Sequence, residues 1–234
     1  MGDDLTDFLA RRGPDPGRPL AGHTVLVVED SRFACEAIRL LCLRSGARIR
    51  RADCLRSARR HLQTYRPTVV IVDLGLPDGS GLDLIADLHG ILPRVPAILA
   101  ISGSDEQAQD ARAAGANGFI LKPLKSLVAF QSAILSALPT THPMMRIESV
   151  EYDGVEPDEI ALRDDLALVE SLLQSTSADE ASYSYVAQFL SGIATAAQDR
   201  PLAEAARAFA RDHRTGLVSL SGLVRERLEA GVHF

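Results

Sequence analysis

Pro67-Thr68-Val69-Val70-Ile71-Val72-Asp73 is a continuous apolar run that stops on a carboxylate. A strand of this kind has no polar face, so it belongs in the middle of a parallel sheet covered on both sides. Two further runs are built the same way: residues 24–29 end on acidic side chains and residues 96–102 end on a hydroxyl. Residues 47–52 read as a weaker strand, because Arg48, Arg50 and Arg51 suit a position near an edge. Residues 118–121 make a fifth. Between the strands lie amphipathic segments at 31–45, 54–65, 81–92, 104–115 and 124–138, the first with Ile38, Leu41 and Cys42 at helical spacing. Five strands alternating with five helices specify a doubly wound α/β domain over residues 23–138, in which ligands bind where the central strands end.

Those strand ends carry the chemistry. Glu29 and Asp30 follow the first strand, Asp73 closes the third, Ser102 closes the fourth and Lys122 follows the fifth. Parallel strands bring all of them to one edge, an arrangement that independent packing needs do not predict. Converging carboxylates repel one another unless a cation relieves them, and oxygen ligands of this kind suit Mg²⁺. A carboxylate in such a place can act as a nucleophile toward phosphorus, which makes Asp73 the candidate phospho-acceptor. Phosphoryl transfer needs charge neutralisation more than proton chemistry, and Lys122 supplies a compact positive charge beside the metal. Ser102 can donate its hydroxyl to a phosphoryl oxygen.

Val27-Val28-Glu29-Asp30-Ser31, the stretch from Val72 through Asp73 to Gly81, Ile101-Ser102-Gly103, and the stretch from Gly115 to Lys122-Pro123 together resemble, in order and spacing, the receiver domains of two-component response regulators. The resemblance spans about residues 22–138 and implies a flavodoxin-like fold. It implies that Asp73 is the phospho-acceptor, that Glu29, Asp30, Asp73 and the backbone carbonyl of Gly75 hold Mg²⁺, and that Lys122, Ser102 and Phe119 form the switch set. The family often has aspartate and tyrosine where this chain has Glu29 and Phe119, and Phe119 lacks the hydroxyl a tyrosine offers to partners. A histidine kinase or a histidine phosphotransfer protein is the implied phosphoryl donor.

The rest of the chain is read from its pattern. Gly13, Pro14, Pro16, Gly17 and Pro19 suggest a loosely held leader over residues 1–22, and Pro139, Pro143, Gly154 and Pro157 suggest a linker over 139–157. Residues 158–234 read as wholly helical. Leu162, Leu166, Val169 and Leu173 mark a first helix, and Ser177 with Glu180 offers a capping box to a second that carries Val186, Phe189, Leu190, Ile193 and Ala197. Pro201 can start a third, with Leu202, Ala206 and Phe209 inward, and Leu217, Leu220, Val224 and Leu228 extend or follow it. A small bundle or an antiparallel pair is expected.

Charge divides the chain unevenly. Residues 148–234 hold 16 acidic and 7 basic side chains, a net −9, whereas residues 1–147 hold 15 and 18, a net +3. An acidic module is a poor candidate for gripping a phosphate backbone, so nucleic acid is disfavoured as a partner. The basic run Arg48 to Arg66 reads as a solvated face, with docking of the acidic module as the alternative. The three cysteines have no CxxC spacing and suit a reducing compartment. Apolar runs are too short to span a membrane, and the first residues lack a secretory pattern, so a cytoplasmic protein is expected.

His213, in Arg211-Asp212-His213-Arg214-Thr215-Gly216-Leu217, is the candidate for a second phosphoryl acceptor, weighed against a surface histidine. The segment faintly resembles the dimerising helices of a histidine kinase, but Arg211 stands where the phosphorylated histidine is expected. The expectation is a signalling protein, not an enzyme, with Mg²⁺-dependent self-phosphorylation and a helical protein-interaction module; a homodimer stays open. The rivals are a DNA-binding transcriptional regulator and a phosphorelay protein.

Overall fold

The computed structural model describes residues 17–124, 126–139, 159–174 and 180–230. Most of the leader, nearly all of the 139–157 linker and the Ser177 half of the capping box lie outside the described residues.

The first unit runs β1 (Thr24–Val28), α1 (Arg32–Arg44), β2 (Arg48–Ala52), α2 (Leu55–Thr64), β3 (Val69–Asp73), α3 (Gly81–Gly90), β4 (Ala97–Ser102), α4 (Ala108–Ala114), β5 (Gly118–Leu121) and α5 (Leu127–Ala137). A 3₁₀ turn, Asp105–Gln107, leads into α4. The five strands form one parallel sheet in the order β2-β1-β3-β4-β5, so the arginine-rich β2 is an edge strand, as its polarity demands. Every residue of β3 and β4 is buried, and the apolar side chains alternate between two cores, one on each face of the sheet. The register pairs Val28 with Val72, Asp73 with Ile101 and Ser102 with Leu121. β1, β3, β4 and β5 therefore bring Glu29, Asp73, Ser102 and Lys122 to the same edge.

Local chemistry explains the helix starts at that edge. Ser31 caps α1, its hydroxyl accepting from the Ala34 N–H at 3.0 Å, which leaves the carboxylate of Asp30 for other work. Cys54 makes no side-chain cap on α2; Asp78 reaches in from the loop after β3 and accepts from the Leu55 and Arg56 N–H groups at 2.8 and 3.0 Å. Gly81 is required by close approach, since a Cβ there would collide with the backbone carbonyl of Asp73.

The expected leader is shorter than its composition suggests. Leu20 is fully buried in the core beneath α1 and α5, and its N–H donates to the Ser45 carbonyl at 2.9 Å. One apolar side chain overrides the Pro and Gly signals around it, and the α/β unit includes residue 20.

The helical part has four described helices: α6 (Glu159–Gln174), α7 (Glu180–Ala196), α8 (Arg200–Arg211) and α9 (His213–Ala230). The small-bundle expectation therefore holds over the antiparallel pair. Asp199 caps α8 through the Leu202 N–H, with Pro201 in its first turn, and is held in turn by Arg227 at 2.8 Å. Ala197 lies in the turn after α7, not inside it. Leu162, Leu166, Val169, Val186, Phe189, Leu190, Ile193, Leu202, Ala206, Phe209, Leu220 and Val224 form the core. Phe33, which belongs to α1 of the α/β unit, is 3% exposed within that same helical core.

Candidate functional site

Glu29, Asp30 and Asp73 each offer a carboxylate oxygen within 4.8 Å of the other two. Glu29 is fully buried, and Lys122 Nζ lies 2.7 Å from its Oε2 and 3.2 Å from Asp73 Oδ2. Burial, reinforced by the neighbouring Asp73 charge and only partly offset by Lys122, pushes the Glu29 carboxyl up to about 8. Burial also raises Asp30, to about 6, against the opposing effect of a hydrogen bond from Tyr185. For Lys122 burial works against the charged form, but Asp73 and Glu29 together outweigh it and its pKa rises. One lysine thus faces a cluster of three acidic groups and does not neutralise it. A buried, oxygen-only set with an excess of negative charge fits a hard divalent cation.

The remaining sequence candidates fall around this cluster. The Ser102 hydroxyl donates to Gln107 Oε1 at 2.6 Å and accepts from the Ser104 N–H at 3.2 Å. Gly75 lies in a two-residue antiparallel ribbon, Gly75–Leu76 against Gly79–Ser80, and lines the same cavity as Asp73. Phe119, on β5, packs partly buried against the core under α3 and α4. His213 is not among the cavity-lining residues. It sits between the rings of Phe209 and Tyr183, at centroid distances of 4.9 and 5.5 Å, with Nδ1 enclosed and without a hydrogen-bond partner.

The helical part contributes residues that the sequence did not single out. Tyr185 on α7 donates its hydroxyl to Asp30 Oδ2 at 2.6 Å. Asp165 on α6, 2% exposed, accepts from the Ser31 hydroxyl at 2.8 Å and from the Arg32 and Phe33 N–H groups at 3.1 Å each. It therefore supplies a carboxylate to the N-terminus of α1 from another part of the chain, where the helix dipole favours negative charge. Arg32 adds an exposed ion pair with Asp164 at 2.6 Å. A cavity of about 660 Å³ separates the two parts at this edge; Glu29, Asp73, Ser102 and Lys122 line one wall. Ser184, Gln188, Ser191 and Thr195, at helical spacing along α7, line the other, and the Gln188 amide lies where a side chain on Gly75 would be.

The basic run, read as a solvated face with docking as the alternative, makes hydrogen bonds and an ion pair inside the α/β unit, although the positive charge of Arg51 also acts on Asp165. Arg59 pairs with Asp87, Arg66 reaches the Pro93 carbonyl and Arg51 the Asp30 carbonyl, all within the α/β unit. The helices dock through the N-terminus of α1.

Fold and site define residues 25–132 as a response regulator receiver domain, and the family model of that description matches those residues. The chain is similar to the KDP operon transcriptional regulatory protein KdpE of Escherichia coli, 30% identical over 135 residues, which is 55% of this chain and 60% of that protein. It is similar also to the transcriptional regulatory protein KdpE of Mycobacterium tuberculosis, 33% identical over the same shares. Among solved structures it is similar to a Burkholderia pseudomallei response regulator with a phosphorylated aspartic acid, with 31% identity, a TM-score of 0.43, and coverage of 50% of this chain and 67% of that one. The chemotaxis response regulator CheY4 of Vibrio cholerae matches at 23% identity and a TM-score of 0.46, covering 50% of this chain and 98% of that one. The chain spans about 60% of the length of the KdpE relatives. Among the described residues, no helix is long and apolar enough to cross a membrane.

Proposed function

We propose that the chain is a cytoplasmic response regulator that accepts a phosphoryl group on Asp73 and signals through its helical module. The observation that carries this reading is the convergence of Lys122 on Glu29 and Asp73, 2.7 and 3.2 Å away, at the edge where the sheet ends. An Asp73 oxygen attacks the phosphorus of a phosphohistidine on a histidine kinase or a phosphotransfer protein; the P–N bond breaks and an acyl phosphate forms. Glu29, Asp30, Asp73 and the Gly75 carbonyl would hold Mg²⁺, which supplies charge neutralisation on the phosphoryl oxygens. Lys122 holds a second positive charge against the phosphoryl group. Ser102 exchanges its bond to Gln107 for one to a phosphoryl oxygen, and Phe119 repacks behind it. The chain relays a signal and turns over no substrate of its own. Incubation with Mg²⁺ and a small acyl phosphate should label the protein, and Asp73→Asn should abolish the label; equal labelling of both overturns the reading.

The regulatory names of the curated relatives favour one second reading, in which the helical module binds DNA. The net −9 of residues 148–234 argues for a protein partner, a second copy of this chain included. Binding to duplex DNA at low salt that weakens steeply as salt is added would support the DNA reading, and no binding at low salt would remove it. A phosphorelay role for His213 is not helped by its enclosed Nδ1; phosphoryl transfer unaffected by His213→Ala removes that reading.

A further inference from the structure

We propose that the helical module is a gate on the receiver's metal site, with Tyr185 as the positioning residue that holds Asp30 away from the cation. The inference rests on the reading of Glu29, Asp30 and Asp73 as the Mg²⁺ site.

Both oxygens of Asp30 are engaged when the module is docked. Oδ2 accepts from the Tyr185 hydroxyl at 2.6 Å, and Oδ1 accepts from the Ser31 N–H at 3.1 Å. The second bond is local to the receiver and survives undocking; the first does not. Each Asp30 oxygen keeps a lone pair open, but both donors draw on the charge that a divalent cation would use, and the phenol is the donor that undocking removes. The module is held in place by contacts that converge on the same few residues. Asp165 takes the Ser31 hydroxyl and two N–H groups of α1, and Phe33 fills a place in the helical core. The segment that carries the acidic pair is thereby tied to α7 at Asp30 itself and to α6 one residue later, at Ser31.

Two ligands that need the same carboxylate oppose each other, and the opposition is reciprocal. If the docked tyrosine weakens metal binding by some factor, the metal weakens docking by that factor. A phosphoryl group on Asp73 strengthens the effect by drawing the cation in and by adding negative charge to a cavity whose far wall is α7. The switch then needs no long-range relay: the readout element touches a ligand of the site directly. Undocking would uncover Phe33 on one side and Tyr185 with Phe189, stacked on each other at a centroid distance of 5.6 Å, on the other.

The test uses the whole chain with Mg²⁺ as the probe. Calorimetric titration should give about ten-fold tighter Mg²⁺ binding for Tyr185→Phe than for the wild type, the loss of one hydrogen bond to a charged group. Asp165→Asn, which never touches Asp30, should tighten Mg²⁺ several-fold by loosening the same docking. Hydrogen exchange at the Arg32 and Phe33 amides should speed up when saturating Mg²⁺ is added to the wild type. Unchanged or weaker Mg²⁺ affinity in Tyr185→Phe, or exchange at those amides that ignores Mg²⁺, overturns the gate and leaves the metal site standing. No Mg²⁺ uptake by either protein overturns the gate and the metal site together.

Discussion

Lys122 Nζ lies 2.7 Å from Glu29 Oε2, a contact between two side chains that are 6% and 1% exposed. Such a pair is held by its partners, and removing the lysine leaves the buried acidic groups of Glu29 and Asp73 side by side without their counter-charge. Lys122→Met should therefore destabilise the metal-free protein by about 3–5 kcal/mol, as for other broken buried pairs. Denaturant unfolding in the presence of a chelator measures it. A change within about 0.5 kcal/mol, the scale of an ordinary surface substitution, would show that the lysine is not the counter-ion of this cluster.

Glu29 and Asp30 set a pH dependence whose sign follows from raised pKa values. Glu29 rises from 4.5 to about 8 and Asp30 from 3.8 to about 6, so the folded state binds protons that the unfolded state has already lost. The stability these groups contribute is fully present below about pH 4. It is lost as pH rises through about 6 for Asp30 and about 8 for Glu29. Mg²⁺ competes with the same protons, so its stabilising effect grows across that window. Thermal melts with and without Mg²⁺ should differ more at pH 8 than at pH 6; a gap independent of pH would contradict the assignment.

Phe33 ties the two units together. Its side chain belongs to the receiver by sequence and to the helical core by packing. Phe33→Ala should cost the helical part about 3–5 kcal/mol and leave labelling of Asp73 intact. Melting followed by limited proteolysis would show the helices giving way first. A variant that melts like the wild type would mean that the contact contributes little.

Asp78 caps α2 from a different loop, with bonds of 2.8 and 3.0 Å to two backbone N–H groups. Asp78→Ala should destabilise the receiver by about 0.5–2 kcal/mol, and since Asp78 also borders the ribbon that carries Gly75, metal affinity should fall with it. Chemical unfolding and Mg²⁺ titration of the same variant report the two effects separately.

The receiver was legible because its signals are redundant. Each buried strand is apolar throughout and ends in or just before a polar residue, so strand identity, parallel arrangement and site location follow from one pattern. The edge position of β2 was equally readable from Arg48, Arg50 and Arg51. Leu20 escaped because a single buried side chain carries no periodicity, and the glycines and prolines around it speak only of irregular backbone. Tyr185 and Asp165 escaped for another reason. They sit at unremarkable positions on amphipathic helices, and what distinguishes them is a contact with Asp30 or Ser31 more than a hundred residues away. Helical spacing assigns a residue to a face of its own helix and does not say what that face meets. The polar stripe of Ser184, Gln188, Ser191 and Thr195 was available in the sequence, at the spacing of one helix face, and its polarity was a local sign that this face lines a cavity.

In the proposed function Asp73, and no other residue, takes the phosphoryl group. Mass spectrometry of the intact chain after treatment with Mg²⁺ and a small acyl phosphate, followed by mapping of the modified peptide, tests it most directly. The peptide containing Asp73 should gain a single phosphoryl group, and chelation of the metal should abolish the gain. A phosphoryl group found on His213, or none under these conditions, would contradict it.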